Sequence, residues 1–131
     1  MRLAASILAA LALASPAAAT EWLNCSDVSG AASIDLLQGT LDVAGIVGMT
    51  ISTGDQVWAS HVEYGPGDPV VVGQAFETAT ELVVDAMDEA VANKIAELRL
   101  FKTADEAGGT VYGGTLSIPG HGAWAVSCSG L

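Results

Sequence analysis

This sequence has little fixed positive charge: four lysines and arginines stand against fifteen aspartates and glutamates, for a formal net charge of −11. Arg2 belongs to the leader described below, so the rest of the chain is one unit more negative, with Lys94, Arg99 and Lys102 its only strong cations. An acidic excess of this size repels nucleic acid and anionic membrane surfaces. It steers association toward cationic partners, at rates that fall as salt rises. Cysteine is scarcer in number. Cys25 and Cys128 are the only two, and they lack the C-x-x-C spacing that lowers a thiol pKa, which argues against a redox role. The sequence has no G-x-S-x-G elbow, no H-E-x-x-H, no phosphate-binding G-x-x-x-x-G-K-[ST] and no G-x-G-x-x-G after a strand, so no standard catalytic or nucleotide-binding signature supports an enzyme. No calcium loop of the D-x-[DN]-x-[DN]-G type is present either, which leaves Asp55 and Asp68 as turn residues, and no cofactor is implied.

What is present begins with a leader. Arg2, an uncharged run from Leu3 to Ala14, then Ser15, Pro16 and Ala17-Ala18-Ala19 fit the pattern of a secretory signal peptide cleaved near residue 19. The run is too short to anchor in a bilayer, and no later stretch reaches the length of a membrane-spanning helix. The expectation is one exported domain over residues 20–131, periplasmic or secreted, without membrane insertion. In an oxidising compartment a lone pair of cysteines near the two ends of the mature chain predicts a Cys25–Cys128 disulfide.

The hydrophobic pattern predicts an α+β fold. Ile34 and Leu36 on one strand face, Leu41 with Val43 after Gln38-Gly39, and Val47, Met49 and Ile51 alternating with small residues read as short strands. Thr53-Gly54-Asp55-Gln56 turns the chain into a second strand running to Tyr64, with Trp58, Val62 and Tyr64 on its core side. Gly65-Pro66-Gly67-Asp68-Pro69 is a loop, and Val70-Val71-Val72 a short buried strand. Residues 78–93 then place Ala79, Leu82, Val83, Ala86, Met87, Ala90 and Val91 at spacings of three and four, which predicts the one main amphipathic helix. Thr78 and Glu81 match a capping box at its start. Residues 95–102 fit either an extension of that helix or a half-exposed strand; the alternation of Ala96, Leu98 and Leu100 with Glu97 and Arg99 favours the strand. Three further short pieces follow, at 110–112, 115–118 and 123–128, the last two pairing as a hairpin with Trp124, Val126 and Cys128 on one face. The implied architecture is an antiparallel sheet of five to seven short strands with the helix packed across one face and the termini joined by the disulfide.

Candidate functional residues fall in two groups. The turn Pro119-Gly120-His121-Gly122, stiffened by proline and anchored by Trp124, has the character of a preformed binding loop, and Tyr64 before Gly65-Pro66-Gly67 makes a second one. His61 and Glu63, two apart on a strand and therefore on one face, could form a metal site with His121 if the fold brought them together. The reading that charge, size and missing signatures favour is a non-enzymatic binding or inhibitor-like module for a cationic protein or ligand. The alternatives are a metal-binding protein or metal-dependent hydrolase using His61, Glu63 and His121, and a structural subunit of an envelope complex. Oligomeric state is open.

Overall fold

The computed structural model describes residues 20–39 and 45–130; the leader at 1–19 and the Leu41/Val43 pair lie outside them. Ten strands follow one another: β1 (Glu21–Ser26), β2 (Ala32–Gln38), β3 (Ile46–Thr53), β4 (Gln56–Ala59), β5 (Asp68–Pro69), β6 (Val71–Glu77), β7 (Glu81–Met87), β8 (Lys94–Ala104), β9 (Thr110–Ile118) and β10 (Gly122–Ser129). They form a single sheet ordered β5-β4-β3-β2-β1-β10-β9-β8-β7-β6. Its two edge strands, β5 and β6, are consecutive in the chain and separated by Val70 alone. One residue spans only about 3.5 Å, so the sheet has to curl until its edges meet. The result is a nearly closed, barrel-like sheet. Taken together, β5 and β6 make one crossing of the wall, which leaves an odd number of crossings. A closed up-and-down circuit with an odd number needs one parallel neighbour pair, and this is β4 with β5, where Trp58 lies beside Asp68 and Ala59 beside Pro69.

Alternation decides what lies inside. Leu23 and Cys25 on β1, Ile34 and Leu36 on β2, Met49 and Ile51 on β3, Leu82 and Val84 on β7, Leu98 and Leu100 on β8 and Leu116 and Ile118 on β9 are all essentially solvent-free. Their strand neighbours Asn24, Asp35, Thr50, Glu97 and Arg99 point outward. The interior is thus a packed aliphatic core and the outer wall is polar, as period-two patterning around one small core requires. Burying a leucine completely contributes about 1.5–3 kcal/mol, so these positions dominate the stability of the sheet.

The disulfide is where the sequence placed it. Cys25 and Cys128 face each other across the β1–β10 pair, with Cα atoms 4.0 Å apart, and the bond joins the first and last strands. The hairpins 46–53/56–59 and 110–118/122–129 also follow the sequence reading, except that the pieces at 110–112 and 115–118 are one strand running through Gly113-Gly114. Residues 95–102 belong to strand β8.

The α+β expectation is wrong. No α-helix exists among the described residues, and the segment 78–93 holds strand β7 between two turns. The stretch Leu82-Val83-Val84-Asp85-Ala86 satisfies period two as well as period 3.6, and pairing with β6 and β8 on both sides selects the strand. Leu82, Val84 and Ala86 enter the core, while Val83 and Met87, assigned to the helical stripe, face outward. The capping-box residues are used differently: the Thr78 hydroxyl accepts hydrogen bonds from the amides of Thr80 (3.2 Å) and Glu81 (3.0 Å), and the Thr78 amide donates to the Glu81 carbonyl (2.9 Å). The same local hydrogen bonding that starts a helix here closes the β6–β7 hairpin. At the other end, the Asp88 carboxylate accepts from the amides of Ala92 and Asn93 and from the Asn93 side chain, which ends β7 in a turn. The strand predicted to run to Tyr64 stops at Ala59, and Val62–Tyr64 is a 3-10 turn with Val62 fully exposed.

Candidate functional site

The outer wall of β1, β2 and β3 carries two adjacent cross-strand rows. Strand register aligns Trp22 with Leu37 and Gly48 in one row, and Asn24 with Asp35 and Thr50 in the next. Residues 60–67, the excursion that lets β5 run parallel to β4, fold back over this wall. Ser60 holds the excursion down: its amide donates to the Met49 carbonyl (2.9 Å) and its hydroxyl accepts from the Met49 amide (2.9 Å). The Thr50 hydroxyl donates to the Tyr64 carbonyl at 3.3 Å. Tyr64 consequently lies over Gly48, where a side chain would collide with the ring, and meets Trp22 edge to face with ring centres 5.3 Å apart. Trp22, Asn24, Asp35, Thr50, Glu63 and Tyr64 line the resulting cleft of about 420 Å³.

Burial pushes the Asp35 carboxyl above the usual carboxylate range, because no countercharge offsets its partial removal from water. The three strong cations of the described chain are all engaged on the opposite wall. Arg99 reaches Asp85 at 2.7 Å, Lys94 reaches Glu97 at 2.7 Å and Asp85 at 3.5 Å, and Lys102 reaches Glu77 at 2.6 Å. Among the described residues no side-chain donor bonds Asp35.

Two other clefts lie near β4 and β5, and their acids are differently occupied. One, of about 380 Å³, is lined by Trp58, Asp68, Pro69, Asp88, Glu89, Ala90 and Ile95. There Asp68 accepts from the Gln56 side-chain Nε2 at 2.8 Å, and Asp88 is committed to its turn, whose hydrogen bonds, that from the Asn93 side chain foremost, lower its pKa. The other, of about 520 Å³, runs past Ser60, His61, Pro66 and Glu89.

The residues singled out in the sequence are dispersed. Tyr64 and Glu63 line the outer-wall cleft. His61 packs its ring edge to face with Tyr64, with centres 5.3 Å apart, and its Nδ1 shares a hydrogen bond with the Ser60 hydroxyl. It sits on a turn and not on a strand face shared with Glu63. His121 packs edge-on against Trp58 at 5.4 Å, in the β9–β10 turn with exposed Pro119, and Trp124 is half-buried. Among the described residues no group of three or more His, Cys, Asp or Glu side chains is arranged to hold a metal ion, so His61, Glu63 and His121 do not gather into one. Sequence reasoning missed Trp22, Asn24, Asp35 and Thr50. The outward placement of Asp35 opposite Ile34 and Leu36 was visible, but nothing local shows that residues 60–67 roof it. The chain matches no protein-family model, no curated protein and no solved structure.

Proposed function

We propose that this chain is an exported, non-catalytic binding module for a cationic partner. The observation that carries the reading is the sorting of charge by the fold. Glu77, Asp85 and Glu97 take up Lys94, Arg99 and Lys102, all on β6–β8. Of the fifteen acids, Asp42 lies outside the described residues, and the remaining eleven meet no lysine or arginine among them. The rest of the surface therefore presents uncompensated negative charge, which raises the local concentration of a basic partner and speeds its docking. The leader, with Arg2 ahead of an uncharged run from Leu3 to Ala14, and the disulfide are compatible with export.

Binding to immobilised poly-L-arginine tests the reading. The disulfide-closed chain is expected to bind with an affinity that falls at least about tenfold between roughly 0.05 M and roughly 0.5 M salt. The reduced, urea-unfolded chain, of the same charge, is expected to bind more weakly. Salt-insensitive binding, or equal binding by the unfolded chain, would overturn it.

A second reading, a structural subunit, draws on apolar residues left outside. Phe101 on β8 is 69% exposed, Val111 on β9 50% and Phe76 on β6 43%, all on the wall opposite the cleft. Light scattering separates the two: a concentration-independent monomer removes self-assembly through this wall.

A further inference from the structure

We propose that the outer-wall cleft is a guanidinium site that receives an arginine side chain of a partner protein, with Asp35 as its anionic anchor and the Trp22 and Tyr64 rings as its apolar wall. This deepens the reading above and rests on it.

The chemistry of the lining points to that group. Along the cleft floor Asn24, Asp35 and Thr50 stand in one cross-strand row, in register on three adjacent strands. Neighbours in such a row are about 5 Å apart, so the row offers several oxygens spread over roughly 10 Å. The Thr50 hydroxyl spends its proton on the Tyr64 carbonyl and therefore turns only lone pairs toward the cleft. Asp35 is an acceptor when ionised, and Glu63 adds a second carboxylate at the rim. Asn24 can present its carbonyl oxygen. No lysine, arginine or histidine lines the space. The cleft is thus rich in acceptors, and the donors it holds, on Trp22, Asn24 and Tyr64, carry no charge.

A permanently cationic ligand group made only of donors answers this, and protein side chains offer two. An ammonium is a compact, strongly hydrated point charge that would engage Asp35 and leave the rest of the row unused. A guanidinium is planar, carries five N–H donors in a fixed fork and is more weakly hydrated, so it can pair with Asp35 in its plane while its face lies on an aromatic ring. Trp22 and Tyr64, fixed edge to face, supply that ring surface without further ordering. Charge complementarity selects the occupant: the chain's own Arg99 is already paired to Asp85 on the other wall, so the arginine has to come from outside.

The test is a titration of the disulfide-closed chain with N-acetyl-arginine amide, followed through the Trp22 indole N–H resonance. N-acetyl-citrulline amide, nearly the same shape without the charge, and N-acetyl-lysine amide are the comparators. Arginine is expected to bind at least about tenfold more tightly than citrulline, with lysine between them. Asp35→Asn is expected to reduce arginine binding to the citrulline level, and Glu106→Gln, an exposed acid in the β8–β9 turn, to leave it unchanged. Equal affinity for arginine and citrulline in the unaltered chain overturns the proposal and needs no variant to fold. So does undiminished arginine binding by Asp35→Asn. If poly-L-arginine still binds in a salt-dependent way while Asp35→Asn changes nothing, this site is refuted and the cationic-partner reading stands; if poly-L-arginine does not bind, that reading itself fails.

Discussion

Gly48→Ala puts the cleft under direct test. A Cβ built at residue 48 lies 2.6 Å from Tyr64 Cε2, 3.1 Å from Cζ and 3.2 Å from Cδ2, whereas carbon atoms rest comfortably at about 3.5–4.0 Å. The ring has to retreat by roughly 1 Å, pulling against its edge contact with Trp22 and against the hydrogen bond from Thr50 to the Tyr64 carbonyl. Overpacking of this kind costs about 1–3 kcal/mol. Replacing a glycine inside a strand returns about 0.5–1 kcal/mol. The expected net loss is therefore about 0–2.5 kcal/mol, or up to roughly 10 °C in Tm at about 4 °C per kcal/mol for a domain of this size. Because the excursion lies outside the main core, the barrel should survive: far-UV circular dichroism stays native, while the Trp22 indole resonance shifts and arginine-amide binding weakens several-fold. The same change at Gly114 is a contrast. There the added carbon would overlap the main-chain carbonyl of Arg99 on β8, which cannot rotate away, and the loss is expected to exceed about 3 kcal/mol. A Gly48→Ala chain of unchanged stability with an unmoved Trp22 resonance would show that Tyr64 does not lie on Gly48, and the cleft would go with it.

Four further outcomes follow from the structure. Cys25→Ala with Cys128→Ala removes a link between residues 103 apart in sequence, and urea melts should lose up to about 4–5 kcal/mol; a loss below about 1 kcal/mol would mean that β1 and β10 hold together without it. Asp35→Asn should stabilise the fold at pH 7 and not at pH near 3. The sign follows from burial, which raises the folded-state pKa: the contribution of the protonated acid is present below the unfolded value and is lost as pH rises through the folded one. Asp27 works in the opposite sense. A hydrogen bond from the Ser29 side chain, with those from backbone amides, lowers its pKa, so its contribution is present above the unfolded value and lost as pH falls through the folded one. Urea midpoints measured across that range check both directions, and an Asp35→Asn gain that grows with acid would contradict the burial argument. Val91→Asn should stabilise the 88–93 turn by about 1 kcal/mol, since Val91 is held at φ 54°, a region costly for a β-branched side chain and tolerated by asparagine. A lower Tm for that variant would count against the strain.

How much was legible differs from residue to residue. Cys25 and Cys128 needed only their number and a compartment, and Trp124, Val126 and Cys128 shared the expected face. Leu98 and Leu100 alternated with Glu97 and Arg99, which favoured the strand over an extension of the helix without excluding the latter. Leu82-Val83-Val84-Asp85-Ala86 did not favour the strand: a run this short fits both periods, and Thr78 with Glu81 offered a helix start whose hydrogen bonds a hairpin turn uses equally well. For the site, Tyr64 was found because glycine and proline follow it, whereas Trp22 and Asp35 look like ordinary strand residues until another segment covers them.

By itself, then, the sequence determined what depends on near neighbours and on composition: the acidic excess, the disulfide pair, the alternating strands and the places where the chain turns. Only the tertiary structure decided that segment 81–87 is a strand, that β1 lies beside β10, that the cations gather on one wall, and that Asp35 and Tyr64 line one cleft. These are pairings between residues far apart in the chain. Their free energy comes from cross-strand contact and shared burial, which no local pattern encodes.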